Sequence, residues 1–298
     1  LLVKHYHFQF YKYSKVTLMG NSEKIFFLIV LYEKDTLQQS KTYTLLTRLL
    51  LRGNLINTRA CEIIVWNNGP KTIETIDCKM NAVEGVTVSI INCIENKELS
   101  KVYNTVVSDC IQSNSHSYLF IFDDDTTVDE KYIKKGVECL DARYCDIVLP
   151  KILCGGKVVA PRHYTGEQVI DVQSCFIIEE HFTSVMSGVG ISLKAFVSKK
   201  DNPFDEDYRF YGIDKEFFYQ CTSNKEIKVC LIPEGIEHGL SRFDNEDSME
   251  KREFRIKEQM VSDMLFAKKR KGLLSFVFYI KACNSLLRLL RIYVYKKL

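Results

Sequence analysis

Along this chain, unbroken apolar runs alternate with stretches in which apolar residues recur every three or four positions. Ile25–Leu31 reads Ile-Phe-Phe-Leu-Ile-Val-Leu, with no polar position to face water, which marks a strand buried on both faces. Tyr32 to Lys34 then turn, Asp35 or Thr36 can cap, and a helix is predicted to about Arg52 with Leu37, Leu46, Leu49 and Leu50 inward. Glu62–Trp66 is a second strand, closed by the turn signal Asn67-Asn68-Gly69-Pro70. Val86–Asn92 is a third. Glu98–Gln112 carries Leu99, Val102, Val106 and Cys110 on one helical face. Tyr118–Phe122 is a further apolar run and so a fourth buried strand. This alternation predicts an α/β protein with a mostly parallel sheet through about residue 150.

Beyond that point the pattern changes. Lys151–Ile178 holds short alternating segments and glycines, so hairpins or an irregular insertion are expected. Ser187-Gly188-Val189-Gly190 is a turn leading into an apolar segment. Asn202–Gln220 sets Phe204, Phe210, Tyr211, Phe217 and Phe218 around a second acidic cluster, and Glu226–Pro233 is another strand.

The fourth strand ends in Asp123, Asp124 and Asp125. Three like charges at the end of a buried strand repel one another and resist desolvation, so they need a compensating group. A divalent cation is the simplest, because hard cations take carboxylate oxygens and bridge to phosphates. In open α/β sheets ligands sit at the carboxyl ends of strands, where these aspartates fall. A solvated acidic turn, with Thr126 or Thr127 capping the next helix, is the plainer alternative.

Composition refines this picture in two places. The chain has 11 Cys without a CxxC pair or a recurrent spacing, so neither a zinc site nor a disulfide framework is expected, only reduced thiols in a cytosolic compartment. Of 41 Lys and Arg, nine fall between Phe266 and Leu298, where no acid occurs; the remainder carries 32 basic residues against 38 acidic ones. An acidic body with a basic tail points to an anionic surface touched by the tail and away from nucleic acid, which would more often need a basic face on the body.

In order, Val30-Leu31-Tyr32, Ile64-Val65-Trp66-Asn67-Asn68-Gly69, Asn96 to Asn104, Phe122-Asp123-Asp124-Asp125-Thr126, Ser187-Gly188, Phe210-Tyr211-Gly212-Ile213-Asp214 and His238-Gly239-Leu240-Ser241 resemble the motif series of inverting glycosyltransferases of family 2. The resemblance spans roughly residues 25 to 270 and is closest to rhamnosyl- or galactofuranosyl-type enzymes of bacterial surface polysaccharide synthesis. It implies the GT-A fold and transfer of a sugar from a nucleoside-diphosphate donor, a UDP- or dTDP-sugar, to a saccharide or lipid-linked acceptor hydroxyl. It places Tyr32 and Asn67 beside the base and ribose, although the family commonly has Asp at Asn67. Asp123 and Asp124 then bind the nucleotide-sugar, Asp125 and His238 hold Mg²⁺ or Mn²⁺ at the diphosphate, and Asp214 is the base. The acid often preceding that base is Ile213 here.

Three other readings compete. Asp123-x-Asp125-x-Thr127 matches the first motif of haloacid-dehalogenase-like phosphatases, but four elements precede it and no Gly-Asp dipeptide completes that pattern. A glycoside hydrolase could pair Asp125 with Asp214. A non-catalytic membrane-associated α/β scaffold would follow if Asp125 or Asp214 were buried in salt bridges.

The expected organisation is an N-terminal extension at 1–24 (of which 1–18 contributes little to the fold), a glycosyltransferase domain at 25–266 and a basic amphipathic segment at 267–298. Residues 1–24 lack the long apolar core of a signal peptide. Leu273–Ile280 is too short an apolar run to span a bilayer. Lys281, Asn284, Arg288 and Arg291 share a helical face with Leu286, Leu287, Leu290 and Val294 elsewhere, so an interfacial helix is expected, helped by Lys268 to Lys271. This would place a cytoplasmic protein peripherally on the bacterial inner membrane.

Overall fold

A computed structural model describes residues 23–52, 59–74, 83–164, 168–197, 202–239 and 248–295. Most of the N-terminal extension, Leu240, Ser241, Lys296 and Lys297 therefore lie outside the described residues. The first half of the chain runs β1 (Ile25–Leu31), α1 (Lys41–Leu51), β2 (Cys61–Asn67), β3 (Val86–Asn92), α2 (Leu99–Asn114), β4 (Tyr118–Asp123), α3 (Glu130–Asp141) and β5 (Ile147–Cys154). There follow β6 (Lys157–Ala160), β7 (Arg162–His163), β8 (Phe176–Ile177), β9 (Phe182–Thr183), β10 (Gly190–Ser192), α4 (Leu193–Val197), α5 (Ile213–Ser223), β11 (Val229–Glu237), α6 (Met249–Lys268) and α7 (Gly272–Tyr295).

The strands fall where unbroken apolar runs predicted them. The first helix starts later than expected, because Ser40 is its cap: its hydroxyl accepts from the Tyr43 amide at 3.1 Å. Asp35 is occupied instead by Lys71, 2.7 Å away at the surface.

The main sheet has the order β3-β2-β1-β4-β10-β5-β11-β8, with β6 paired to β5. β1, β2, β3 and β4 are mutually parallel, as are β5 and β11. β10 runs antiparallel between β4 and β5, so the sheet is mixed where the simple alternation breaks down. Gly190 is required there, since a Cβ on it would lie 2.5 Å from the Phe120 ring. Strand order reverses between β1 and β4, because β2 and β3 build outward on one side and β4 on the other. Such a switch point opens a crevice at the carboxyl ends of the strands, and Val30 pairs with Asp123 at that edge.

Alternation along β1 divides the interior into two cores. Phe26, Leu28 and Val30 pack with α2, α5 and Phe266 of α6; Ile25, Phe27, Ile29 and Leu31 pack with α1 and α3. In the second core Phe27 stacks on Phe120, and Phe120 meets Tyr132 edge-on.

The C-terminal helices correct the expectation for the tail. Lys281 does not end the apolar segment: α7 runs without a break to Tyr295, and Gly272–Val294 is long and apolar enough to cross a membrane by length and composition, with a mean hydropathy of 1.5. Residues at alternating three- and four-residue steps on α7, among them Phe278, Ala282 and Ser285, are its buried side. Phe278 packs on Phe266 of α6 at 4.5 Å between ring centres. The basic cluster between the helices also turns inward. Lys269 pairs with Asp205 and Asp207 at 2.6 and 2.7 Å, and Arg270 with buried Glu216 of α5 at 2.6 Å. Lys269 and Arg270 are thus committed to the fold and unavailable to an anionic surface.

Candidate active site

Asp123 closes β4, and the turn that follows is clamped by the start of α1. The Ser40 hydroxyl donates to the Asp124 carbonyl at 3.0 Å, the Thr42 amide donates to the same carbonyl at 3.2 Å, and the Thr126 amide donates to the Thr42 hydroxyl at 2.9 Å. From the other side, the Asp123 amide donates to Ser187 Oγ at 3.0 Å, and Ser187 and Thr126 share a hydroxyl contact of 2.6 Å. The three aspartates therefore sit on a braced turn, with Asp124 facing one neighbour and Asp123 and Asp125 sharing another.

Asp124 turns to Lys34, with Oδ2 2.9 Å from Nζ. Asp125 and Asp123 turn to His238, just beyond the carboxyl end of β11. His238 Nδ1 lies 3.0 Å from Asp125 Oδ1 and Nε2 lies 3.4 Å from Asp123 Oδ2. The imidazole also contacts the Thr126 hydroxyl at 3.1 Å. Backbone bonds hold His238 in place: its amide donates to the Leu153 carbonyl at 3.0 Å, and the Thr127 amide donates to the Glu237 carbonyl at 2.8 Å. Gly239 must be small, as a Cβ there would fall 2.5 Å from Asp125 Oδ2.

The charges modify one another. Burial pushes the Asp123 carboxyl up to about 6, with His238 opposing and the charges of Asp125, Asp124 and Asp214 adding to the rise. Burial likewise raises Asp124, against the pull of Lys34. Burial alone would lower His238, yet the bond from Asp125 and the surrounding aspartates raise it.

Asp214 stands in the first turn of α5. Gly212, not Asp214, occupies the cap position, with a left-handed φ of 78°. A Cβ on Gly212 would lie 1.9 Å from Ser262 Oγ of α6, so its smallness serves helix packing and not the close substrate approach its position suggested. Phe210 packs edge-on against Phe254 of α6. Asp214 Oδ1 accepts from the Lys215 amide at 2.7 Å, but burial outweighs this and raises its carboxyl. Burial thus makes Asp214 more basic than an ordinary aspartate. Its charge adds to the rise of the Asp123 carboxyl, and both carboxylates help raise the buried Tyr103 hydroxyl.

Tyr32 follows β1 and is 46% exposed beside this crevice. Asn67 ends β2 and is fully buried. Its amide donates to the Lys71 carbonyl at 2.6 Å and to Asn92 Oδ1 at 2.7 Å, while its own Oδ1 has no hydrogen-bond partner. Lys34, Thr42, Thr126, Ser187 and Tyr103 were not singled out from sequence as site residues. Tyr103, Thr126 and Ser187 lie within the quoted motif runs, whereas Lys34 and Thr42 lie outside them.

A mixed α/β sheet with a switch-point crevice, edged by an acid triplet and an imidazole, is the architecture of the GT-A type. The chain matches the family "Glycosyl transferase family 2" over residues 39–189, half of its length, and belongs to that family. It is therefore a glycosyltransferase and neither a phosphatase nor a bare scaffold. No curated protein sequence matches it. Among solved structures, S. aureus TarS 1-349 is similar in fold at 12% identity, with a TM-score of 0.50 over 88% of this chain and 71% of that one. Longer TarS gives a TM-score of 0.49 at 13% identity over 82% of this chain, which spans only 43% of that protein. TarS 1-349 in complex with UDP gives 0.48 at 13% identity, over 80% of this chain and 64% of that one.

Proposed function

We propose that this protein transfers a sugar, with inversion, from a UDP- or dTDP-sugar to a saccharide or lipid-linked acceptor hydroxyl in the synthesis of a bacterial surface polysaccharide. The observation that supports this reading is the convergence of Asp123, Asp125 and His238 at the carboxyl end of the sheet.

Tyr32 flanks the base, and Asn67 borders base and ribose from beneath, with Oδ1 the acceptor its neighbours leave unused. Asp123 receives the ribose, while Asp124, tethered to Lys34, orders the donor side of the turn. The donor set of Asp125 and His238, carboxylate oxygen and imidazole nitrogen 3.0 Å apart, fits Mg²⁺ or Mn²⁺. Held by these two residues, an ion would supply charge neutralisation for a diphosphate leaving group. Asp214 takes the acceptor proton as the sugar–phosphate bond breaks, and its raised carboxyl suits that task. With Asp214 as the base on the acceptor, a single displacement from the face opposite the departing diphosphate gives inversion.

The tail adds a location. The exposed surface of α7 presents Phe276, Leu286, Leu287, Leu290 and Val294 on one side and Lys281 and Arg288 on another. A helix with one side on the body, one apolar and one basic lies flat in the interface of an anionic membrane, here the cytoplasmic face of the inner membrane. Membrane crossing is disfavoured because Phe278, Ala282 and Ser285 are already engaged by the body.

The test is a screen of nucleotide sugars for metal-dependent thermal stabilisation, since a ligand bound only by the folded state raises Tm. A UDP- or dTDP-sugar should stabilise the protein with Mg²⁺ or Mn²⁺ and lose that effect in chelator. Stabilisation that is indifferent to chelator would remove the metal role. Flotation on anionic liposomes tests the tail: equal binding with and without residues 272–298 rules out α7 as the anchor.

A further inference from the structure

At the amino ends of β5 and β11, away from the crevice, four cysteines converge from four separate segments. Cys139 is in the last turn of α3, Cys145 precedes β5, Cys175 precedes β8, and Cys230 is the second residue of β11. Local structure explains how they meet. α3 ends with the Tyr144 amide donating to the Cys139 carbonyl and the Arg143 amide to the Leu140 carbonyl, both at 3.0 Å. Arg143 is left-handed at φ 52°. This is the reversal that commonly ends helices through glycine, and it turns Cys145 back beside Cys139. The antiparallel pairing of β8 with β11, Cys230 opposite Ile177, brings Cys175 to the same place.

The sulfurs form one group. Those of Cys139, Cys175 and Cys230 all lie within 4.8 Å of one another, and Cys139 and Cys175 are 3.8 Å apart. The Cys230 thiol donates to the Leu231 carbonyl at 3.6 Å, and the Cys145 and Cys230 thiols are near enough to shift one another's ionisation. Cys139, Cys145 and Cys230 are buried and Cys175 is half-buried. Thiols in such a place are ordinarily inert core residues, but those are dispersed, whereas here three sulfurs from three separate segments lie together. The spacing is also informative. A disulfide needs sulfurs about 2.05 Å apart. A tetrahedral ion with metal–sulfur bonds of about 2.3 Å sets its ligands roughly 3.8 Å from one another.

We propose that Cys139, Cys175 and Cys230 hold a single structural metal ion of the Zn²⁺ class, with the Cys145 thiol turning in beside them as the fourth, tetrahedral ligand. It ties the end of α3 to the outer strands β8 and β11. Four sulfur ligands leave no position for substrate, so the site is closed and its contribution is to folding. It contradicts the expectation that no zinc site exists, which rested on the lack of a CxxC pair. Binding is balanced by proton release: each thiol that ligates gives its proton to solvent, and no electron is transferred. The Cys230 thiol is already lowered, first by the neighbouring Cys145 thiol, while burial pushes Cys139 up to about 12, so the ion must displace that proton.

The test uses the full chain purified from zinc-supplemented cells under reducing conditions. Elemental analysis should give close to one zinc per chain, and titration with an organomercurial should release it as four thiols react. Cys175→Ser should lose the zinc and several degrees of Tm, whereas Asp125→Ala should retain the zinc, which separates this ion from any in the crevice. If Cys175→Ser fails to fold, Co²⁺ added to metal-free wild type should give the charge-transfer absorption of a tetrahedral thiolate complex. Wild type without stoichiometric zinc and without that absorption, or with a Cys139–Cys175 disulfide, overturns the proposal.

Discussion

The acidic crevice and the cysteine cluster occupy opposite ends of one sheet, and β11 reaches both. The crevice offers oxygens and an imidazole: Asp123 and Asp125 keep 39% and 47% of their side chains exposed, and their neighbours are polar. The cluster offers only sulfur, with three of its four members buried. Hard donors left open suit an ion that must be shared with a phosphate, and soft donors closed on all sides suit one that never leaves. Donor chemistry and openness vary together, so the same strand serves turnover at one end and cohesion at the other.

The sharpest way to break this contrast is Asp125→Ala. Its carboxylate touches His238 and little else, so metal-dependent transfer should vanish in a donor-turnover assay while Tm stays within a degree or two of wild type. A large fall in Tm would make Asp125 a structural residue and erase the distinction. Asp214→Asn keeps the shape and deletes the base, so kcat should fall roughly 10²–10⁴-fold with donor affinity unchanged. Turnover within a few fold of wild type would send the base elsewhere.

A lesion in neither cluster calibrates both. Arg270→Met strands buried Glu216, whose carboxylate also receives the Tyr208 hydroxyl at 3.0 Å. Breaking such a pair costs about 3–5 kcal/mol because one charge remains unpaired, and urea unfolding should read this as a lowered midpoint. The smallest effect is on pH. Asp214 must be ionised to accept a proton, and burial raises its carboxyl, so activity is lost as pH falls through a value above the ordinary aspartate range. The kcat profile should show that acid limb in wild type and lose it in the residual activity of Asp214→Asn. An unchanged limb would assign it to another group.

What could be read from the sequence follows from the same physics. β1 and β4 are legible because a strand buried on both faces has no polar position to break the run. The acid triplet is legible because its members are consecutive. β10 is a three-residue strand inserted antiparallel, too short for any periodicity to mark it. The cysteine cluster draws its members from positions 139, 145, 175 and 230, joined only by a helix ending and a strand pairing, so no local spacing encodes it. Lys281 was misread as the end of an apolar segment, yet its ammonium lies 4.4 Å from the centre of the Phe278 ring and its stem follows the helix surface. Asn68 and Asn104 belong to motifs that resemblance made prominent, and both are stitches. Asn68 bonds Asn96 and the Lys97 carbonyl at 2.9 Å. Asn104 bonds the Phe204 carbonyl at 2.8 Å and accepts its amide at 3.0 Å.

β11 and β5 do not pair residue for residue. Leu231 lies opposite Leu149 and Gly235 opposite Lys151, so three residues of β11 face Pro150 alone, which has no amide to donate to the ladder. The strand thus carries spare length between Cys230 and His238, as a cable carries slack between two anchors. Losing or gaining one residue at 232–234 changes the depth of the bow and leaves both anchored ends in register. A tug at the cysteine end is taken up in the bow before it reaches His238, whose position is fixed by its own bonds to Leu153 and Thr126. Natural variation in length can therefore accumulate in the middle of this strand, a place where most buried strands tolerate none.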